Sequence, residues 1–72
     1  MSDNEKLEIL ADVLDMDVSE INPTMKLSSL ESWDSVAALA FIAMMDEKFG
    51  KTIKGAQLKN FDTIQDAMTI MQ

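Results

Sequence analysis

The feature that most limits the fold of this chain is an apolar stretch, Val36 to Met45, without a single charged side chain. A membrane span takes about 20 residues, so this stretch is too short to cross a bilayer and is expected in a folded core. The apolar spacing predicts a helix over residues 35 to 49, which Gly50 is well placed to end. Its buried stripe is predicted to comprise Leu39, Ile42, Met45 and Phe49.

A second helix is predicted over residues 3 to 15. Its apolar positions recur at helical spacing, with acidic residues largely on the other side. These positions are Leu7, Leu10, Val13 and Leu14. Ser2 and Glu5 stand three positions apart at its start, which is the spacing of a capping box.

Between these helices the periodic pattern breaks. Residues 17 to 34 contain the only proline of the chain and many Ser, Asp, Asn and Thr residues, which favour turns. Loops of this length in compact domains are usually functional. Apolar residues within the loop are expected to anchor it to the core: Ile21, Met25, Leu27, Leu30 and Trp33.

The C-terminal part indicates a short helical turn around residues 55 to 59 and a final helix. Asp62 is the predicted N-cap of that helix, with Gln65 in the reciprocal position. No strand-like alternation and no internal repeat is visible. The predicted fold is all-α: a single domain of residues 1 to 72 forming a small four-helix bundle, with three main helices, one short helix and a long loop between the first two.

Composition limits the function. The chain has 13 acidic and 6 basic residues, a formal net charge of -7, and 47% hydrophobic residues. That hydrophobic share predicts a folded core. The acidity disfavours nucleic acid and anionic membranes as partners and favours a basic protein surface. No signal peptide or membrane-spanning stretch is visible, so a cytoplasmic location, without membrane insertion, is expected.

Enzymatic activity is not expected, because the chain lacks His, Cys, Tyr and Arg. A nucleophilic serine needs a neighbouring base, which only a lysine or carboxylate could supply here. A metal site is not expected either. Asp15, Asp17 and Ser19 match the first ligands of a calcium-binding EF-hand loop, but Glu20 and Lys26 occupy its required Gly and bidentate Glu positions.

The most informative segment joins the long loop to the apolar helix. It places Asp34 and Ser35 at the N-terminus of that helix, where backbone N–H groups and the helix dipole favour a phosphate. A simple N-cap is the alternative reading, and both can hold together.

The chain resembles the acyl carrier protein family, whose members carry 4'-phosphopantetheine. The resemblance runs in register through a helix, a long loop, an Asp-Ser-aliphatic motif, a second helix, a short turn and a final helix. The residues that carry it are Leu27, Leu30, Trp33, Asp34, Ser35, Val36, Leu39, Phe41, Ile42, Met45, Phe49 and the segment from Ile53 to Ile70.

This resemblance implies that Ser35 is the attachment point of a covalent 4'-phosphopantetheine arm, transferred from coenzyme A by a phosphopantetheinyl transferase. The arm's thiol would carry an acyl or related carboxylic group as a thioester. The partners it implies are that transferase and acyl-loading and acyl-using enzymes, with the carrier as a monomer. Asp34 and Val36 match the acid and the aliphatic residue that the family uses in docking.

Two departures from the family pattern suggest a specialised carrier. Ser32 stands where many fatty-acid carriers have Gly, and the Trp-Asp-Ser-Val form is more similar to free-standing carriers of D-alanyl or specialised biosynthesis. We also predict an apolar docking patch of Val36, Ala37, Ala40 and Met44. Alanine's helix propensity is an alternative explanation of that face.

The methionines and the charges add two further points. Met45, Met68 and Met71 could line a deformable pocket for an acyl chain or simply pack the core. Residues 1 to 34 carry the whole excess charge of -7, and residues 35 to 72 are neutral, which predicts partner contact through the loop and Asp34. The alternative function is an unmodified helical interaction module.

Overall fold

The computed structural model describes residues 2–72, so Met1 of the predicted domain lies outside the described residues. It is an all-α bundle of four helices, as predicted. They are α1 (Asp3–Leu14), α2 (Ser35–Phe49), α3 (Gly55–Leu58) and α4 (Ile64–Thr69). The last helix has only 6 residues and is therefore much shorter than α1 and α2. Within residues 2–72 there is no strand, only one isolated antiparallel bridge between Lys26 and Thr63.

The ends of α1 follow from local chemistry. Ser2 Oγ accepts a hydrogen bond from the Glu5 N–H at 3.2 Å, and Glu5 Oε1 accepts one from the Ser2 N–H at 3.3 Å. This capping box confirms the predicted start. The helix ends at Leu14, one residue earlier than predicted, because Asp15 adopts a left-handed conformation with φ 56°.

The buried face of α2 differs from the predicted stripe. Phe41 and Met45 are 0% exposed, and Ala37 and Met44 are buried beside them. Leu39, predicted to be buried, is 67% exposed, so that prediction was wrong. The cause is that α2 is apolar on nearly all sides, so its periodicity does not mark one face. Phe41, its largest apolar side chain, faces the core. Ala37 and Met44, four positions before and three positions after it, lie on the same face of the helix.

Aromatic contacts centre on Phe41. Its ring meets Trp33 edge-on, with centroids 6.1 Å apart and planes at 81°. It meets Phe61 in the same way, at 5.9 Å and 82°. These are favourable T-shaped geometries. They join α2 to the loop before it and to the segment that leads into α4.

The long loop is anchored by the residues predicted from the sequence. Ile21 and Leu27 are buried, and Met25, Leu30 and Trp33 are partly buried against the core. The loop contains two single-turn 3-10 helices, Val18–Glu20 and Leu27–Ser29.

Backbone hydrogen bonds also join the loop to the start of α4. Leu27 N donates to Asp62 O at 2.9 Å, and Ile64 N donates to Met25 O at 3.0 Å. The loop is thus held in place by both apolar burial and backbone pairing.

The core lies where α1 packs on α2 and α4, and α2 on α3. Its largest fully buried side chains are Leu10, Leu14, Phe41, Met45, Ile64, Met68 and Met71. The three methionines singled out from the sequence are therefore core residues.

The start of α4 is capped differently from the prediction. Thr63, not Asp62, is the N-cap, and Asp66, not Gln65, holds the reciprocal position. The Asp66 carboxylate accepts hydrogen bonds from the N–H groups of Thr63 and Asp62, at 3.0 and 2.8 Å. These two bonds lower the pKa of Asp66 below its ordinary value, with the Thr63 bond contributing most.

No helix within residues 2–72 has both the length and the apolar character needed to cross a membrane.

The two glycines provide a matched test of this backbone. A Cβ added at either Gly50 or Gly55 would meet no atom within 4 Å, but only Gly50 has a left-handed φ, at 64°. We expect Gly50→Ala to lower the free energy of unfolding by about 1 kcal/mol, because an L side chain disfavours that conformation. Gly55→Ala should raise it by about 0.5 kcal/mol by restricting the unfolded chain.

Urea denaturation followed by Trp33 fluorescence measures both changes. Equal effects of the two substitutions on the free energy of unfolding would contradict the left-handed backbone conformation of Gly50.

Candidate functional site

The candidate site is the junction between the long loop and α2. Ser35 is the first residue of α2 and is exposed to solvent. The preceding residues are fixed by the packing of Trp33 against Phe41. The serine hydroxyl therefore lies at a defined surface position at the end of a 15-residue helix.

Asp34 is the N-cap of α2. Its Oδ1 accepts a hydrogen bond from the Ala37 N–H at 2.9 Å, and its carbonyl oxygen accepts one from the Ala38 N–H at 2.9 Å. Two donors of the first turn are thereby satisfied, and the carboxylate complements the positive end of the helix dipole. The capping role considered from the sequence is therefore present beside Ser35.

Two residues before Asp34, the loop is tied to the turn that follows α1. Ser32 Oγ donates a hydrogen bond to Met16 Sδ at 3.2 Å. Trp33, which follows, is half-buried: it packs on Phe41 and also contributes to the surface beside Ser35. Trp33 thus links the core to this surface.

A solvent-open groove of about 670 Å³ runs beside Ser35, between α2 and α3. Ala38, Leu39 and Ile42 form its α2 wall. Ala56, Leu58 and Lys59 contribute from the opposite side. The groove is distinct from the methionine-rich core, since no methionine lines it. A mostly apolar surface thus begins directly at the exposed serine.

The outward face of α2 is apolar but differs in part from the predicted patch. Val36 is 73% exposed and Ala40 is exposed, as the hypothesis requires. Ala37 is only 4% exposed and Met44 only 6%, so their assignment to an outward patch was wrong. Both share the helix face of Phe41 and are core residues.

Several residues of this region were not identified as site residues from the sequence. Leu39 and Ala43 complete the exposed apolar face, because they lie three and seven positions after Val36. Lys59 lies at the groove from the end of α3. The first two could have been found by placing Phe41, not Leu39, at the centre of the buried face. Lys59 depends on the packing of α3 against α2, for which the sequence carries no local signal.

The junction fits a covalently attached phosphate. The hydroxyl of Ser35 is accessible, and the N-terminus of a long helix favours negative charge. The adjacent apolar groove could also contact less polar parts of an attached group. Ser35 would hold such a group, and Asp34 would keep the helix end formed.

The acidic loop is organised by hydrogen bonds within the chain. Asp17 Oδ1 accepts hydrogen bonds from Ser19 N and Ser19 Oγ, both at 3.0 Å, which lower the pKa of Asp17. The backbone bond is the larger cause. Within residues 2–72, no three acidic side chains come together in a way that could hold a metal ion.

Comparison with known proteins shows the family of the chain. Residues 7–69 match the family model described as the phosphopantetheine attachment site. An acyl carrier protein of Solidesulfovibrio magneticus is 33% identical over 73 aligned residues, covering 100% of this chain and 94% of that protein. This chain belongs to the acyl carrier protein family.

Two further acyl carrier proteins, from Myxococcus xanthus and Micrococcus luteus, are each 28% identical to this carrier over 61 residues. These alignments cover 85% of this chain and 77% and 75% of those proteins. No solved structure matches the chain.

Family membership fixes the general role. The protein is a carrier and not an enzyme, it bears 4'-phosphopantetheine covalently, and it interacts with acyl-handling enzymes. It also decides against the alternative of an unmodified helical interaction module.

Two substitutions of Asp34 distinguish its role as an N-cap from the effect of its negative charge. We expect Asp34→Ala to lower the free energy of unfolding by about 1 kcal/mol, because the Ala37 N–H loses its acceptor. Asp34→Asn should leave stability nearly unchanged, since asparagine is an equally good N-cap. Urea denaturation of both variants measures this difference. Equal losses would contradict the capping role.

Proposed function

We propose that Ser35 is the residue to which the 4'-phosphopantetheine arm of this carrier is attached. The observation that carries the proposal is the position of Ser35: an exposed first residue of α2, after a capped helix end and beside an apolar groove. The Asp-Ser-aliphatic sequence at that position is the motif on which the resemblance to carriers rests.

The other serines are less suitable acceptors. Four of the six serines donate their hydroxyl to another group of the protein, within a cap, a turn or the loop: Ser2, Ser19, Ser29 and Ser32. Of the remaining two, Ser28 lies in a 3-10 turn, whereas Ser35 begins the longest helix. Only Ser35 therefore combines an accessible hydroxyl with the N-terminus of a long helix.

In the proposed loading reaction, Ser35 Oγ forms a phosphate ester with the phosphopantetheinyl group of coenzyme A. The pyrophosphate bond breaks, and adenosine 3',5'-bisphosphate leaves. The serine proton passes to a base of a separate phosphopantetheinyl transferase, because the carrier has no histidine near its serine or elsewhere. Once attached, the arm supplies a terminal thiol that holds an acyl or related carboxylic group as a thioester.

We propose that the carrier acts as a single domain and a monomer in the cytoplasm, where coenzyme A serves the transferase. Its partners are that transferase and the enzymes that load and use the acyl group. The arm raises the effective concentration of the acyl group at each partner. The apolar outward face of α2 and the neutral charge after Ser35 favour a specialised biosynthetic carrier over one of the main fatty-acid pathway.

Partners are proposed to recognise two adjoining surfaces. The first is the acidic loop end with Asp34, which suits a basic partner surface. The second is an apolar face, comprising Val36, Leu39, Ala40 and Ala43, which replaces the predicted patch. This face begins at Val36, the residue after Ser35. Any enzyme that reaches the arm at Ser35 therefore approaches this face. It suits a partner with an apolar contact surface.

Loading tests the attachment site. Purified protein is incubated with coenzyme A, magnesium and a broad-specificity transferase, and its intact mass is measured. We expect wild type and the control Ser32→Ala to gain the mass of one arm, and Ser35→Ala to gain none. No gain on wild type, or an equal gain on Ser35→Ala, would contradict the proposal.

A charge on the apolar face tests partner recognition. Ala40→Glu introduces a carboxylate at an exposed position, and Gln65→Glu adds the same charge on α4 as a control. If a partner buries the apolar face, we expect Ala40→Glu to raise the transferase KM by about tenfold, with the control unchanged. Thermal unfolding verifies that both variants are folded. An unchanged KM for Ala40→Glu would contradict docking of the transferase on the apolar face of α2.

A further inference from the structure

The groove beside Ser35 is electrically asymmetric. Among the residues that line it, Lys59 is the only base and Asp34 the only acid. Asp34 Oδ1 is engaged with the Ala37 N–H at the end of α2. Lys59 is exposed, at the end of α3, with helical backbone angles of φ -66° and ψ -20°. A cation is thus placed at an apolar groove that also reaches the proposed attachment site.

The backbone that carries Lys59 is well fixed. The preceding residue, Leu58, is buried in the core. The two residues that follow are also held: Asn60 N donates to Gln57 O at 3.2 Å, and Phe61 N donates to Leu58 O at 3.1 Å. The position of Lys59 beside the groove therefore depends on core packing, while its flexible side chain can reach different points of the groove.

Nearby lysines are placed differently. Lys51 Nζ donates to Ile70 O at 3.0 Å, which holds it against the end of α4. Lys54 is the N-cap of α3 and does not line the groove. Lys54 therefore differs from Lys59 in lying outside the groove.

We infer that Lys59 is the cationic partner of the phosphodiester that joins the arm to Ser35, and that it positions the arm toward the groove. This inference rests on the proposed attachment at Ser35. The phosphodiester brings a negative charge to a junction that follows a loop and helix with net charge -7. Lys59, which belongs to the electrically neutral residues 35 to 72, offsets that negative charge. It thereby favours arm conformations that lie toward α3 over those that extend into solvent.

The size of the effect is limited by solvent. Lys59 is exposed, and ion pairs between exposed groups are weak and sensitive to salt. We expect the pair to change the ratio of groove-associated to free arm by about two- to fivefold. Lys59 is thus a positioning residue, and its loss leaves covalent loading intact.

Phosphorus NMR of the loaded protein tests this inference. The variants are Lys59→Gln, which removes the charge, Lys59→Arg, which retains it, and Lys54→Gln as the matched control. We expect the phosphodiester resonance to shift in Lys59→Gln and to remain near the wild-type position in Lys59→Arg and Lys54→Gln. Added salt should move the wild-type resonance toward that of Lys59→Gln.

Proton cross-peaks between the arm and the Ile42 side chain provide a second measurement. They should weaken by about two- to fivefold in Lys59→Gln. Unchanged phosphorus shifts and cross-peaks in Lys59→Gln would overturn the inference while leaving the attachment proposal intact. A wild-type protein that gains no arm mass and shows no phosphorus resonance would overturn both.

Discussion

The packing of two aromatic rings on Phe41 is the interaction on which the rest of the structure depends. Phe41 is completely buried in α2, and its edge-on contacts reach Trp33 on one side and Phe61 on the other. Trp33 is two residues from Ser35, so its contact fixes the end of the loop. Phe61 leads into the segment that pairs with that loop and begins α4. One buried side chain thereby links helix, loop and candidate site.

The start of α1 and both ends of α2 were predictable from the sequence because their signals are local. The capping box of Ser2 and Glu5, the glycine after α2 and the position of Ser35 at a helix start each depend on a few neighbouring residues. The faces of α2 were not predictable in the same way. Apolar residues surround nearly the whole helix, so their periodicity could not reveal that Met44 faces the core and Leu39 faces solvent. That choice is made by packing against other helices.

The distribution of charge acquires a physical meaning in the folded chain. The acidic excess belongs to α1 and the long loop, whereas residues 35 to 72 carry equal numbers of acidic residues and lysines. The arm would therefore stand between an acidic surface and a groove with one cation, Lys59. A partner would meet negative charge on one side of Ser35 and apolar side chains on the other. Such a surface favours partners selected by both shape and charge.

The central claim is that Ser35 itself bears the arm, and locating the modification within the chain tests it most directly. Trypsin cleavage of the loaded protein after Lys26 and Lys48 releases residues 27 to 48, which contain Ser28, Ser29, Ser32 and Ser35. Tandem mass spectrometry of this peptide can assign the arm to one of the four. We expect only the fragments that contain Ser35 to carry the added mass. An arm on any other serine, or on a peptide outside residues 27 to 48, would contradict it.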